Sequence, residues 1–219
     1  MKHFTKFSWP IAILLIALNA QSTLAQSKAD IFDGKTPITW LGLDYTQATF
    51  TNAGESGKQN ASDLTNFKFT KVYIPQWNDL FLSEMKKFDV AKAMHRPTVG
   101  YALNVTEGVN NAITKDFVVV NESALKKLTQ QDISDLVKNY DFKGNTGIGM
   151  MFFVERMNKE TEMEGAWVTF VDMQKKTVLF TTYLTSKIGG MGMRNNWADA
   201  TYKMLKAIES NYDKWAKMP

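Results

Sequence analysis

The stretch that decides the fold is Thr146–Lys187, which reads TGIGMMFFVERMNKETEMEGAWVTFVDMQKKTVLFTTYLTSK. It contains three runs rich in β-branched and aromatic residues, which are Thr146–Met157, Glu164–Met173 and Thr177–Lys187. Short polar segments, NKETEM and QKK, separate these runs. Because strands joined by such short connections must turn back on themselves, the pattern predicts a three-stranded antiparallel meander.

Strands and helices are both predicted on either side of this meander. Apolar residues on both faces of Pro37–Phe50 indicate a strand inside a sheet. Apolar residues at a helical period predict helices over Gln76–Met94 and Asn195–Trp215, and one or two helices over Ser123–Tyr140. The segment Pro97–Val105 has the composition of a second strand.

Two further segments complete the fold prediction. Glu107–Asp116 has the composition of a loop, and Phe117–Val120 that of a short extended piece. Helices are too few and too unevenly spaced for a doubly wound parallel sheet. We therefore expect a single α+β domain over residues 26–219. Its sheet would be mixed but mainly antiparallel, with the meander at the C-terminal end and helices packed mostly on one face.

The first 25 residues have the layout of a secretory signal peptide. A short basic start precedes the apolar run Trp9–Leu18, and small residues follow it. The favoured cut follows Ala25. A cut after Ala20 is the alternative, but it places bulky Leu18 three positions before the cleaved bond. The apolar run is too short to remain as a membrane anchor, because a spanning helix needs about 20 apolar residues.

The composition indicates the cellular compartment and excludes some classes of partner. The chain has no cysteine, which excludes disulfides and the acylated cysteine of a lipoprotein. The formal net charge of +4 falls to +2 when Lys2 and Lys6 leave with the leader. Lysine and glutamate are interspersed without the basic stripe typical of nucleic-acid binders. We expect a periplasmic or secreted protein that binds no nucleic acid and does not span a membrane after cleavage.

A glycine-rich corner, SKIGGMGMRNNWADA at Ser186–Ala200, joins the meander to the last predicted helix. Its best match to a dinucleotide loop is Gly190, Gly192 and Asn195, which lacks the third glycine. That loop also needs a following parallel strand, and the helix is predicted to run almost to the end of the sequence. The Gly-Lys-Ser/Thr of a P-loop is absent too. Nucleotide binding at the corner is therefore not expected.

Two readings of the corner stay open. In one, free N–H groups at the helix start act with Arg194 to hold a carboxylate or phosphate. In the other, the glycines only permit a sharp turn and Asn196 caps the helix. The candidate ligand-binding residues are Gly190, Gly192, Arg194, Asn195 and Asn196.

Catalytic and metal chemistry have little support in the sequence. His95 is the one histidine beyond the leader, and a histidine near a helix end more often meets backbone carbonyls than substrate. The nucleophile-elbow motif of hydrolases is absent, and no spaced acidic loop for calcium occurs. We assign no catalytic residue, no metal ligand and no cofactor. Enzymatic activity is left open, with a non-enzymatic role favoured.

Several segments together resemble a family of exported bacterial proteins with a domain of unknown function. They are ITWLGLDYTQA, ISDLVKNYDFKGNTGIGMMFFVERMNK, AWVTFVDMQKKTVLFTTYLTSKIGGMGMRNNWADA and the terminal helix. The most recognisable element is a G-G-x-G-x-R-N-x-W corner, which begins here at Gly189. The resemblance implies export and an α+β fold, but no active site. The order of elements is also loosely similar to envelope domains of the TolB amino-terminal and curli-secretion types.

These observations give two hypotheses of function. The preferred one is a non-catalytic interaction or structural domain of the cell envelope, with another envelope protein as its partner. The alternative is a domain that binds or converts a small anionic ligand at the glycine corner.

Overall fold

The computed structural model describes residues 26–51, 65–119, 123, 125 and 127–218. The predicted signal peptide, residues 1–25, lies outside the described residues. The strands are β1 Ile38–Asp44, β2 Thr49–Thr51, β3 Gly100–Tyr101, β4 Val118–Val119, β5 Ile148–Asn158, β6 Met163–Asp172 and β7 Thr177–Lys187. The helices are α1 Lys28–Ile31, α2 Asn66–Lys68, α3 Ile74–Ser83, α4 Val90–Ala93, α5 Asn104–Asn111, α6 Gln130–Lys138 and α7 Met193–Ala216, with a π-helical turn Phe69–Tyr73 before α3.

All seven strands form one mixed sheet around β5. On one side β5 pairs in parallel with β1 and, farther along, with β2. Strand β3 extends the sheet beyond β1 and β4 extends it beyond β2, both in parallel. On the other side β6 and then β7 pair antiparallel. The α+β class and the C-terminal meander are confirmed.

The expectation of a mainly antiparallel sheet is wrong. The first half of the chain adds only parallel pairings. Strand β2 continues in the direction of β1 after a short turn, and helices in the later connections return the chain so that β3, β4 and β5 run the same way. The sheet is therefore antiparallel over β5, β6 and β7 and parallel over the remaining strands.

Helices cover both faces of the sheet. Met150, Phe152 and Val154 of β5 lie in one apolar core with residues of α3, α4 and α7. Met151 and Phe153, which point to the opposite face, lie in a second core with residues of α5 and α6. The expectation of helices mostly on one face is confirmed, because α1, α3, α4 and the long α7 share the first core. The shorter α5 and α6 cover the second face, since β5 is apolar on both faces and each must be buried.

Several element boundaries differ from the sequence prediction. The strand expected over Pro37–Phe50 is two strands, with a turn closed by the Ala48 N–H donating to the Tyr45 carbonyl at 3.0 Å. The helix expected over Gln76–Met94 is likewise divided into α3 and α4. Helix α6 begins after Thr129, whose side chain forms a capping box with Asp132.

Helix α5 lies where a strand end and a loop were expected. Its sequence, NVTEGVNN, is a poor helix former because it contains glycine and three asparagines. Three of its side chains, Val105, Thr106 and Asn110, are buried. This tertiary packing against β1 outweighs the weak local helix propensity.

Within the described residues, no helix combines the length and apolar character needed to cross a membrane.

Candidate functional site

The glycine corner is a left-handed turn that leads directly into α7. Gly190 and Gly192 have φ angles of 81° and 86°, a region that side chains disfavour. Helix α7 begins at Met193 with Gly192 in the cap position. The prediction that Asn196 caps the helix is therefore wrong, because the helix starts one turn earlier than the polar residues suggested.

Asn196 instead closes the corner from inside the first turn of α7. In the amide orientation that its neighbours require, the side-chain nitrogen faces three backbone carbonyls, those of Gly189 at 3.2 Å, Gly190 at 2.9 Å and Gly192 at 3.3 Å. Its amide oxygen accepts from Lys159 Nζ at 3.1 Å. These four contacts satisfy the hydrogen-bonding groups of the buried amide. The Asn196 side chain therefore holds the joint between β7 and α7 together.

Arg194 and Asn195 also bond to neighbouring groups of the protein. Arg194 Nη2 donates to Glu84 Oε1 at 3.1 Å, and Nη1 donates to Asn195 Oδ1 at 3.2 Å. The Asn195 amide nitrogen donates to the Met191 carbonyl at 3.1 Å. The structure thus brings the five candidate residues together, but it uses their polar side chains to join α7 to α3 and to the turn. Ligand binding at the corner stays a prediction.

The edge of the sheet at β7 offers a different kind of site. Strand β7 pairs with β6 from Thr177 opposite Asp172 to Lys187 opposite Met163. Within the described residues it has no strand on its other side. An edge strand carries a row of N–H and C=O groups that can pair with another chain. Only one β7 peptide group, the Lys187 carbonyl, accepts a side-chain donor of the described residues, Lys203 Nζ at 3.0 Å.

The composition of β7 favours pairing with a further strand. It has eleven residues, Thr177–Lys187, and the segment Val178–Ser186 carries no charge and no proline. Natural edge strands are usually short, charged or interrupted, which prevents strand addition. Here α6 and α7 pack on the two faces of β7, while most of its side chains remain half-buried. The strand is long, β-forming and supported on both faces.

Lysines stand at the two ends of this edge. Lys175 and Lys176 form the turn before β7, and both are exposed. Lys187 ends the strand and lies 3.5 Å from Glu162, in a pair whose side chains are both more than half exposed. Such exposed pairs contribute little and exchange partners readily. The edge therefore has an uncharged centre between basic ends.

Other sequence-predicted features have ordinary positions. The ring of His95 stacks on Tyr212 with a centroid distance of 4.3 Å. Across the described ranges, no three histidine, cysteine, aspartate or glutamate side chains gather in a way that could hold a metal ion.

The sequence predicts β7 as a strand but not its position at the edge of the sheet, because the order of strands in a sheet depends on pairings far apart in the chain.

Comparison with known proteins adds no relative. No protein-family model matches the chain, and no curated protein sequence matches it. The resemblance to exported proteins with the glycine corner therefore stays a prediction. The geometry of the β7 edge is the basis for a function at that site.

Proposed function

We propose that this protein is a non-catalytic interaction domain of the cell envelope, and that it binds an extended segment of a partner protein along β7. The observation that carries the proposal is the eleven-residue edge strand, paired on one side only within the described residues. Strand addition uses backbone hydrogen bonds for affinity and alternate side chains for specificity. The periplasmic location rests on the predicted signal peptide.

The charges at the ends of β7 indicate the chemistry of the partner. A segment with acidic residues at its ends and uncharged β-forming residues between them would complement Lys175, Lys176 and Lys187. A second copy of this chain fits less well. In a two-fold antiparallel pair centred on Thr182, Thr177 lies opposite Lys187 of the other copy, which brings the basic turn close to a basic strand end.

The proposal is tested with a displayed library of random dodecapeptides selected on the full chain. Bound peptides are expected to slow amide hydrogen exchange across Val178–Ser186, because their backbones would pair with β7. Thr182→Lys should weaken binding at least tenfold, because a lysine in the centre of an edge strand blocks strand addition. Thr177→Lys is the matched control, since it adds the same charge at the exposed first residue of the strand.

Three results would contradict the proposal. One is peptide binding with no protection at β7, and another is equal loss of binding in both variants. The third is a dimer in solution, measured by light scattering, that Thr182→Lys dissociates, because the occupant of the edge would then be a second copy. Circular dichroism of each variant shows that the fold is retained.

A further inference from the structure

A cavity of about 270 Å³ lies beside the last residues of β5 and the first residues of β6, away from the glycine corner. Most of the residues that line it have polar side chains. The lining residues are Arg156, Asn158, Thr161, Met163, Glu164, Gly165, Tyr183 and Thr185. A cavity of this size suits a ligand of a few heavy atoms.

A fixed carboxylate, that of Glu155, lies beside Arg156 of the cavity lining. The pairing of β5 with β6 shifts register between Val154 and Arg156, and Glu155 lies at this irregularity. Its side chain is 2% exposed. Oε2 accepts from Trp167 Nε1 at 2.9 Å and from the Leu128 N–H at 2.8 Å. These bonds satisfy the buried carboxyl group and hold it in one position.

Glu155 in turn orients Arg156. Arg156 Nε lies 3.3 Å from Glu155 Oε1 and donates to the Tyr183 hydroxyl at 3.1 Å. The guanidinium also lies over the Tyr183 ring, 5.8 Å from its centroid. Neither Nη group of Arg156 donates to a described residue, and the side chain is 27% exposed. The planar end of the guanidinium is therefore held in place and still offers its donors.

Gly165 makes this arrangement possible. A Cβ atom at this position would lie 1.9 Å from the Tyr183 hydroxyl oxygen and 3.4 Å from Arg156 Cγ. The absence of a side chain lets Tyr183 reach across β6 to Arg156. Burial, and next the charge of Glu155, raises the pKa of Tyr183 to about 12. The hydroxyl thus stays protonated and adds no negative charge to the cavity at neutral pH.

We infer that this cavity binds the anionic oxygens of a small ligand, a carboxylate or a phosphate group, through the two Nη groups of Arg156. An arginine held at Nε presents its remaining donors in a plane, which matches two oxygens of such an anion. Asn158, Thr161 and Thr185 line the same cavity and supply the polar surroundings. The site goes beyond the proposed strand addition, because it takes a small molecule through the side chain of Arg156, whereas strand addition uses the backbone of β7. Tyr183 and Thr185 of β7 also line the cavity.

A second acidic group, Glu164, borders the cavity without opposing an anion at neutral pH. Glu164 is 1% exposed, and its Oε1 has no partner among the described residues. Burial raises the pKa of Glu164 to about 8, so the side chain is mostly uncharged at pH 7.

The test measures thermal stability of the full chain with inorganic phosphate and, separately, with succinate. The bound anion should raise the melting temperature by roughly 5 °C at a hundredfold excess over its dissociation constant. Arg156→Lys keeps the charge but loses the planar pair of donors, and it should weaken binding at least tenfold. Arg194→Lys is the matched control, because the Arg194 guanidinium is already paired with Glu84.

The two anions separate the ligand classes. A shift with phosphate alone indicates a phosphoryl ligand, a shift with succinate alone indicates a carboxylate, and shifts with both support the shared oxyanion chemistry. No shift with either anion, or equal shifts in wild type and Arg156→Lys, would overturn the inference.

A second measurement covers the case in which Arg156→Lys is unstable. The chain has three arginines, so ¹⁵N-arginine NMR of the wild type resolves few side-chain signals. The added anion should move the Arg156 signals and leave those of Arg96 and Arg194 unchanged. Movement of the Arg194 signals instead would place the anion at the glycine corner and refute the cavity site.

Discussion

Asn78 of α3 bonds to both peptide groups of Leu43 in β1. Its Oδ1 accepts from the Leu43 N–H at 2.7 Å, and its Nδ2 donates to the Leu43 carbonyl at 3.1 Å. Asn110 of α5 donates to the same carbonyl at 2.8 Å and accepts from the Tyr45 N–H at 2.8 Å. Strand β3 pairs with β1 only at Thr39 and Trp40. Two side-chain amides therefore replace the strand that β1 lacks beyond that point.

Replacing Asn78 with alanine should lower the free energy of unfolding by about 2–3 kcal/mol, because the Leu43 N–H would be left buried without an acceptor. Urea denaturation measures the change. Asn111→Ala is the control, since Asn111 is exposed at the end of α5. A similar loss in both variants would show that the Asn78 amide does not support β1.

Gly192→Ala should destabilise the protein by about 1–3 kcal/mol, because φ of 86° with ψ of 161° is a conformation nearly confined to glycine. Gly108→Ala should have the opposite sign and stabilise by about 0.5–1 kcal/mol. Gly108 lies inside α5, and the nearest atom to an added Cβ is 3.8 Å away. Thermal unfolding compares the two. Stabilisation by Gly192→Ala would contradict the described turn.

Glu164→Gln should change how stability depends on pH. Burial raises the pKa of Glu164 from 4.5 to about 8, so the folded protein holds a proton that the unfolded chain releases. This contribution is fully present below about pH 4.5 and is lost as pH rises through 8. The wild type should therefore lose on the order of a few kcal/mol over this window.

The Gln variant lacks this titration, so its free energy of unfolding should decline less between pH 5 and 9. Urea denaturation at several pH values gives the two curves. Glu160→Gln, in the exposed turn before β6, should follow the wild type. Parallel curves for wild type and Glu164→Gln would refute the buried, weakly bonded carboxyl.

Expression of the full chain in a Gram-negative host should yield a protein that begins at Gln26, because Thr23 and Ala25 fit the small-residue rule for cleavage. Intact mass and N-terminal sequencing identify the new end. Ala25→Leu should block this cut, whereas Ala20→Leu should leave it unchanged. A start at Gln21 would favour the alternative site, and an uncleaved chain would contradict the signal peptide.

Local patterns predicted the elements whose neighbours in sequence are also neighbours in space. The meander of β5, β6 and β7 is one such case, because its strands follow one another through short turns. Helix α5 is the opposite case, since its Asn110 makes hydrogen bonds with Leu43 of β1 and with Tyr45 just after it, which only the folded chain provides. The sequence also identified the glycine corner as a joint between a strand and a helix. It placed the helix cap at Asn196, whereas the cap is Gly192 and α7 begins at Met193.

The two proposed sites were harder to predict. Glu155 and Arg156 are adjacent in sequence, within the run Thr146–Met157 that predicts the first strand of the meander. The contact of Arg156 with Tyr183 depends on the register shift in β5 and on the absence of a side chain at Gly165, whose place Tyr183 occupies. The open edge of β7 depends on which strand occupies the centre of the sheet. Neither property has a local signature in the sequence.

The central position of β5 affects the order in which the chain can fold. Strands β1 and β2 both need β5 as a neighbour, yet β5 begins at Ile148, about a hundred residues later. Such long-range pairing makes folding slow, because the loop must close before the contacts form. A nascent chain shorter than this point lacks the strand that joins the β1–β3 pair to the β2–β4 pair. The sheet therefore cannot be assembled as one unit until the last third of the protein is present.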